Sequence, residues 1–343
     1  MRIVTSRSPL LSGMAVPLPP ASFFGIVLGI SGLGSSWQSA PPEWNMPPEI
    51  GQTISLIAVA VWLVVTGLYA AKWLVAPAEA LEEARHPVQC CFIGLAGVAT
   101  MLAGLSLLPY SHFLAAILVF AGATFSLLFL LWRTGRLWRG NRETTTTTPV
   151  LYLPSVAASF VAATAAGTFG YGDWGQLAFG AGFFSWLAIE SVLFNRMLTA
   201  PEMIEALRPS LGIQLAPPTV GSVAYLSLTN GPPDMFVRAM LGYGLVQALL
   251  LLRLLPWIMK QRFVASYWAF SFGATAISTA MLRAVARGEA GAIAALAPIT
   301  FIGTNLAIAM LALGSIRLML RGEFLPRPSH SQAQPLAGSN AKS

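Results

Sequence analysis

The residues of this chain that could do chemistry are hydroxyls rather than charges. The stretch Phe263–Met281, FVASYWAFSFGATAISTAM, carries Ser266, Ser271, Thr275, Ser278 and Thr279 and no Asp, Glu, Lys or Arg. A helix meeting lipid on all sides would be mostly Leu, Ile, Val and Phe. Small and hydroxyl residues in an apolar run mark close approach of other helices or a polar cavity. Phe272 stands in the middle of the stretch and Gly273 follows it. The stretch therefore reads as part of a pore lining with Phe272 as the obstruction. A bulky apolar ring in a narrow pore gates by dewetting, and Gly273 is expected to leave space for the ring to move.

The other reactive groups form no constellation. Cys90 and Cys91 are adjacent inside an apolar run, without metal-ligand spacing or a disulfide framework. His86, His112 and His330 lie far apart, and no His pair has the spacing of a metalloprotease helix. Neither a nucleophile–base pair nor a nucleotide-binding loop is present, so no enzyme, no cofactor and no metal site is expected. Among the few charges inside apolar segments, Glu190 and Arg253 are expected to be a structural pair, with snorkelling as the alternative for Arg253.

These residues need elements to hold them, and composition says what kind. Of 343 residues, 55% are hydrophobic and 10% charged, against about 25% charged in soluble domains. The chain reads as an all-α polytopic membrane protein. Its net charge of +7 suits basic cytoplasmic loops, and no basic groove or stacking motif points to nucleic acid. A spanning helix needs about 20 mostly apolar residues. Ten such segments are expected, at 21–38, 51–73, 88–108, 112–132, 150–170, 174–197, 210–229, 235–258, 263–282 and 290–320. Residues 1–16 read as a cytoplasmic arm; the prolines Pro9, Pro17, Pro19 and Pro20 break up any signal-peptide core. Residues 17–320 form the transmembrane domain, and 321–343 a disordered cytoplasmic tail.

With the N-terminus in the cytoplasm, 17 of the 20 Lys and Arg fall inside and only Arg238, Arg283 and Arg287 outside, a strong bias that also puts the C-terminus inside. Pro20, Pro87, Pro154 and Pro218 recur at intervals of 67, 67 and 64 residues near the starts of odd-numbered segments, the period of a two-span unit; the ninth segment lacks the proline. The odd segments are rich in Gly, Ala, Ser and Thr and most even ones in Leu, Val and Ile. Five helical hairpins around a central pore follow, odd helices inner and even helices outer. None of the five inner segments holds an ionisable residue of the kind that coupled transporters use. An uncharged pore must offer water, backbone or hydroxyl dipoles, because drying an ion costs on the order of 20 kcal/mol by the Born estimate.

Several stretches are long enough to carry a resemblance: PLPPASFFGIVLG at 17–29, LYLPSVAASF at 151–160, FGAGFFSWLAIE at 179–190, LGYGLVQALLLLRLLPWI at 241–258 and YWAFSFG at 267–273. On these the chain, over 17–320, resembles the tellurite-resistance/dicarboxylate transporter family, whose bacterial TehA-like members are related to plant slow-type anion channels. The resemblance implies a ten-helix channel in a bacterial inner membrane, usually a homotrimer, passing small inorganic anions with weak selectivity, with the family's gating phenylalanine on Phe272. Phe24, Gly25, Phe160 and Tyr225 join Gly273 as further pore-lining candidates. The alternative that the family name suggests is a secondary transporter or exporter of C4-dicarboxylates, tellurite or toxic compounds.

Overall fold

The computed structural model describes residues 18–140 and 142–325, and every regular element there is a helix. The expected arm at 1–16 and most of the expected tail, 326–343, lie outside the described residues. A 3-10 turn at Ala21–Phe23 leads into α1 (Phe24–Gln38), followed by α2 (Pro48–Val75) and a short α3 (Pro77–Arg85). Next come α4 (Cys90–Ile93) and α5 (Leu95–Leu107), joined at Gly94, and α6 (His112–Leu137). A 3-10 turn at Pro149–Leu151 and a π-helical turn at Leu153–Ala157 enter α7 (Ala158–Thr168), which is followed by α8 (Gly172–Thr199). The 3-10 segment Glu205–Leu215 enters α9 (Ala216–Leu228), followed by α10 (Met235–Ile258). Another 3-10 segment, Ala265–Phe270, enters α11 (Ser271–Ala286), and α12 (Ala292–Leu320) closes the order.

Eight stretches among the described residues are long and apolar enough to cross a membrane. The two other expected segments, 21–38 and 210–229, are helical too, but α1 and α9 are only 15 and 13 residues long. Burial divides the elements sharply. The apolar windows of Cys90–Leu107, Pro149–Thr168 and Ala265–Ala286 are 61%, 78% and 61% buried, whereas those of His112–Leu137 and Gly172–Thr199 are 17% buried. Nine residues of α1 and eight of α9 are buried as well. The buried helices touch in a closed sequence: α1 on α5, α5 on α7, α7 on α9, α9 on α11, and α11 back on α1. Each also packs on the helix that follows it, α2, α6, α8, α10 or α12.

Small residues make these approaches possible. A Cβ on Gly29 would collide with the Ser271 side chain, and one on Gly32 with that of Thr275; one turn further, Ser36 and Ser278 share a hydroxyl hydrogen bond of 2.7 Å. Without water to drive helices together in a bilayer, such close contact and side-chain bonding supply the attraction. An added methylene at a seam of this kind costs about 1–3 kcal/mol.

The buried helices share a second property, an irregular start. The prolines explain part of it, because Pro154 has no N–H to give to the helix ladder and lies in the π-helical turn. The start of α11 is also 3-10, although no proline is there. Pro20 precedes the first such start and Pro154 lies in the third, whereas Pro218 falls inside α9, after its 3-10 entry.

Beyond the expected spans, the connection after α2 contains the short helix α3. Its Glu83 binds Lys72 Nζ at 2.7 Å and accepts the Ala21 amide at 2.7 Å, and both charged side chains are buried. The carboxylate thereby compensates a buried ammonium and the unpaired N–H end of the first helix. At the other end of the described chain, the Phe324 ring lies 4.8 Å from Phe23. The expected pair of Glu190 and Arg253 is not formed. Glu190 accepts from Tyr152 Oη, Trp186 Nε1 (3.0 Å), Tyr243 Oη (2.6 Å) and Gln247 Nε2 (3.3 Å), while Arg253 is exposed. Four neutral donors satisfy the carboxylate where a cation was expected.

Candidate functional site

Phe272 belongs to the first turn of α11, and that turn is held from three directions. Its own carbonyl accepts from Thr275 Oγ1 at 3.0 Å, that of Gly273 from Thr219 Oγ1 of α9 at 3.2 Å, and that of Ala274 from Thr304 Oγ1 of α12 at 2.6 Å. The preceding segment is pinned by Trp268 Nε1 to Ser315 Oγ at 2.9 Å and by Tyr267 Oη to the Ile258 carbonyl at 3.1 Å. The backbone of the turn is therefore braced. The Phe272 ring, by contrast, is only partly buried.

Two cavities lie against that ring. The first has a volume of about 50 Å³ and is mostly apolar, lined by Leu28, Phe92, Leu95, Val156, Phe160 and Ile213 among others. The second has about 260 Å³ and a row of hydroxyls, including Ser31, Ser35, Thr164, Thr168, Thr275 and Thr279, with Arg283 in its wall. Phe272 and Val220 are the two residues that line both. The buried helix segments all contribute: the 21–38 stretch, the α4–α5 span, α7 with its entry turn, α9 with its entry segment, and α11 with its entry segment.

The remaining candidates divide. Gly25 and Phe160 line the first cavity. Phe160 is fully buried, its ring seated against Gly182 and Gly221, where a Cβ would come within 2.9 and 3.1 Å of it. Phe24 lines neither cavity; it faces α2, edge-on to Tyr69 at 5.6 Å. Tyr225 lines neither as well. Its hydroxyl donates to Asp234 and its ring packs on Phe236 at 5.1 Å. That hydroxyl, with the Phe236 and Val237 amides, holds the Asp234 carboxyl below its usual range. Gly273 also serves the packing of two helices. A Cβ there would stand 2.8 Å from Leu215 Cβ and 2.9 Å from the Ala216 nitrogen, so this glycine admits the start of α9 against α11.

Arg283 went unnoticed as a site residue because the ninth segment was expected to end at 282. α11 continues to Ala286, which carries the guanidinium to the second cavity. There its Nη1 donates to Ser227 Oγ at 2.9 Å and its Nε to Ser39 Oγ at 3.3 Å. It takes part in none of the ion pairs among the described residues. The two linings together contain one Lys or Arg and no Asp or Glu.

Residues 19–316 match the family model described as SLAC1, voltage-dependent anion channel. The chain is 34% identical over 310 residues to the tellurite resistance protein TehA homolog of Haemophilus influenzae, covering 90% of this chain and 93% of that one. It is also similar to two Arabidopsis thaliana proteins, the S-type anion channel SLAH3 at 24% identity and the guard cell S-type anion channel SLAC1 at 25%. Each plant match covers 77% of this chain but only 42% and 49% of the respective plant protein.

Proposed function

The chain belongs to the SLAC1 family of anion channels and transporters, and from that premise we propose that it is a channel for small monovalent anions, with the Phe272 ring closing the path. The path runs along the axis enclosed by the five buried helices, in the ten-helix, five-hairpin arrangement of inner odd and outer even helices that the closed sequence of contacts supports. The observation that carries the reading is that Phe272 lines both cavities. An apolar ring between a dry space and a hydroxyl-lined one is the expected form of a hydrophobic constriction.

The lining favours monovalent anions over the alternative cargo, C4-dicarboxylates. Two carboxylates call for two cationic partners to offset their desolvation, and the linings offer one guanidinium. The distribution of Lys and Arg supports cytoplasmic termini, and the bacterial relative supports a bacterial membrane. The homotrimer rests on the resemblance to the family. Tellurite resistance, named for the Haemophilus influenzae relative, is proposed as a phenotype of the same conductance.

The test is anion current through membranes bearing wild type and Phe272→Ala. The expected result is a low basal current and a gain on the order of tenfold, equivalent to about 1.4 kcal/mol off the barrier. A folded variant with no gain would make Phe272 a packing residue and turn attention to coupled dicarboxylate uptake.

A further inference from the structure

We propose that Arg283 is an anion-binding site, the point where a monovalent inorganic anion such as chloride, bromide or nitrate is held in the hydroxyl-lined cavity before it meets Phe272. The inference rests on the channel reading and adds to it a residue and a location. An anion needs donors, and the threonines of this cavity have already spent their single protons. Thr164 donates to the Phe160 carbonyl at 3.0 Å, Thr168 to that of Thr164 at 2.8 Å, Thr275 to that of Phe272 at 3.0 Å and Thr279 to that of Thr275 at 2.8 Å. Gln38 gives its amide to the Gly51 carbonyl and Ser55 Oγ. These side chains offer a passing anion lone pairs, which repel it.

Two donors remain. Arg283 uses Nε and Nη1 on Ser39 and Ser227, which leaves Nη2 without a hydrogen-bond partner among the described residues. Those serines pass their own protons to the Ser35 and Val223 carbonyls, so they accept from the guanidinium and hold it in place without neutralising it. Nearer the Phe272 level, buried Ser31 Oγ has no partner among the described residues. A guanidinium whose charge is uncompensated and whose orientation is fixed attracts an anion without having to be reorganised. Ser31 then supplies a second donor for an ion moving toward the ring. On the charge bias, Arg283 stands at the extracellular mouth.

The experiment uses the Phe272→Ala background, in which current is read against chloride concentration on the Arg283 side. Arg283→Gln is expected to raise the half-saturating chloride roughly tenfold, the loss of one charge-assisted hydrogen bond, and to lower the ratio of anion to cation permeability. Arg283→Lys keeps the charge and should restore most of both. If Phe272→Ala conducts and Arg283→Gln alters neither quantity, the site is overturned and the channel reading stands. If Phe272→Ala is silent though folded, the gate has failed and the site is judged by bromide binding alone. Bromide-soaked crystals of wild type should show an anomalous peak beside Arg283 that Arg283→Gln loses; absence of the peak overturns the site without reference to conduction.

Discussion

The two spaces that meet at Phe272 are built on opposite principles. The first is small, about 50 Å³, and walled mainly by Leu, Val, Ile and Phe side chains. The second is about five times larger, carries hydroxyls on several turns and ends beside a guanidinium. Helices from the same set form both, so the contrast lies along each helix. α11 shows it directly: Ala265 and Ala269 of its entry segment face the apolar space, and Thr275, Thr279 and Arg283 face the polar one. The difference teaches where an ion's free energy should peak. On the proposed path, hydroxyl dipoles of the larger space would help to solvate the ion. In the smaller one the ring has little polar surface behind it, so in the channel proposed here the barrier would comprise Phe272 and the apolar chamber together.

That view makes the largest effect an asymmetric one. Phe272 and Val220 both border the two spaces, but only Phe272 presents an aromatic ring between them. Phe272→Ala should increase anion current on the order of tenfold, and Val220→Ala by less than about threefold, because the smaller truncation removes less apolar surface from the constriction. Paired current measurements on the two variants check this. Equal gains would move the constriction from one ring to a collar and weaken the contrast between the chambers.

The second effect comes from wetting the dry chamber while leaving the ring in place. Leu95→Asn puts a smaller amide of the same branching into the first cavity. It should raise current about threefold through easier hydration of the chamber, at a stability cost of about 1–3 kcal/mol for the buried polar group. Current and thermal unfolding of the purified variant are the readouts. A stable Leu95→Asn with unchanged current would confine the barrier to the ring itself.

Both chambers were partly legible in the sequence. Composition separated buried from exposed segments, because Gly, Ala, Ser and Thr permit helix approach and Leu-rich faces do not require it. The hydroxyl-rich run around Phe272 pointed to a cavity. What could not be read was direction. Phe24 and Phe160 each follow a proline at a helix start and look alike in the sequence, yet Phe24 packs on Tyr69 and Phe160 lines a chamber. Which way a side chain turns is decided by its neighbours. Gly273 shows the same gap, since its Cβ position is crowded by Leu215 and Ala216 at the start of α9, far away in sequence. Arg283 was hidden by hydropathy, which ends a span at the first charge. The helix runs on past it, and Ser39 and Ser227, from two other parts of the chain, each accept one hydrogen bond from the guanidinium.

The smallest effect bears on whether the polar chamber acts through its hydroxyls as a group or through the few that still have a proton to give. Thr275→Val keeps the shape of the side chain and removes a hydroxyl whose proton is already committed to the Phe272 carbonyl. Ser31→Ala removes one whose proton is uncommitted. If anions are held by free donors, Ser31→Ala should reduce chloride current about twofold in the Phe272→Ala background, while Thr275→Val changes it by less than that, a difference of only a few tenths of a kcal/mol. The order of the two variants matters more than either size. Counting hydroxyls predicts equal losses, and proton availability predicts that the serine matters more. Should Thr275→Val prove the larger, its hydroxyl would be acting on the ring through the Phe272 carbonyl, and the polar chamber would be part of the gate it now only borders.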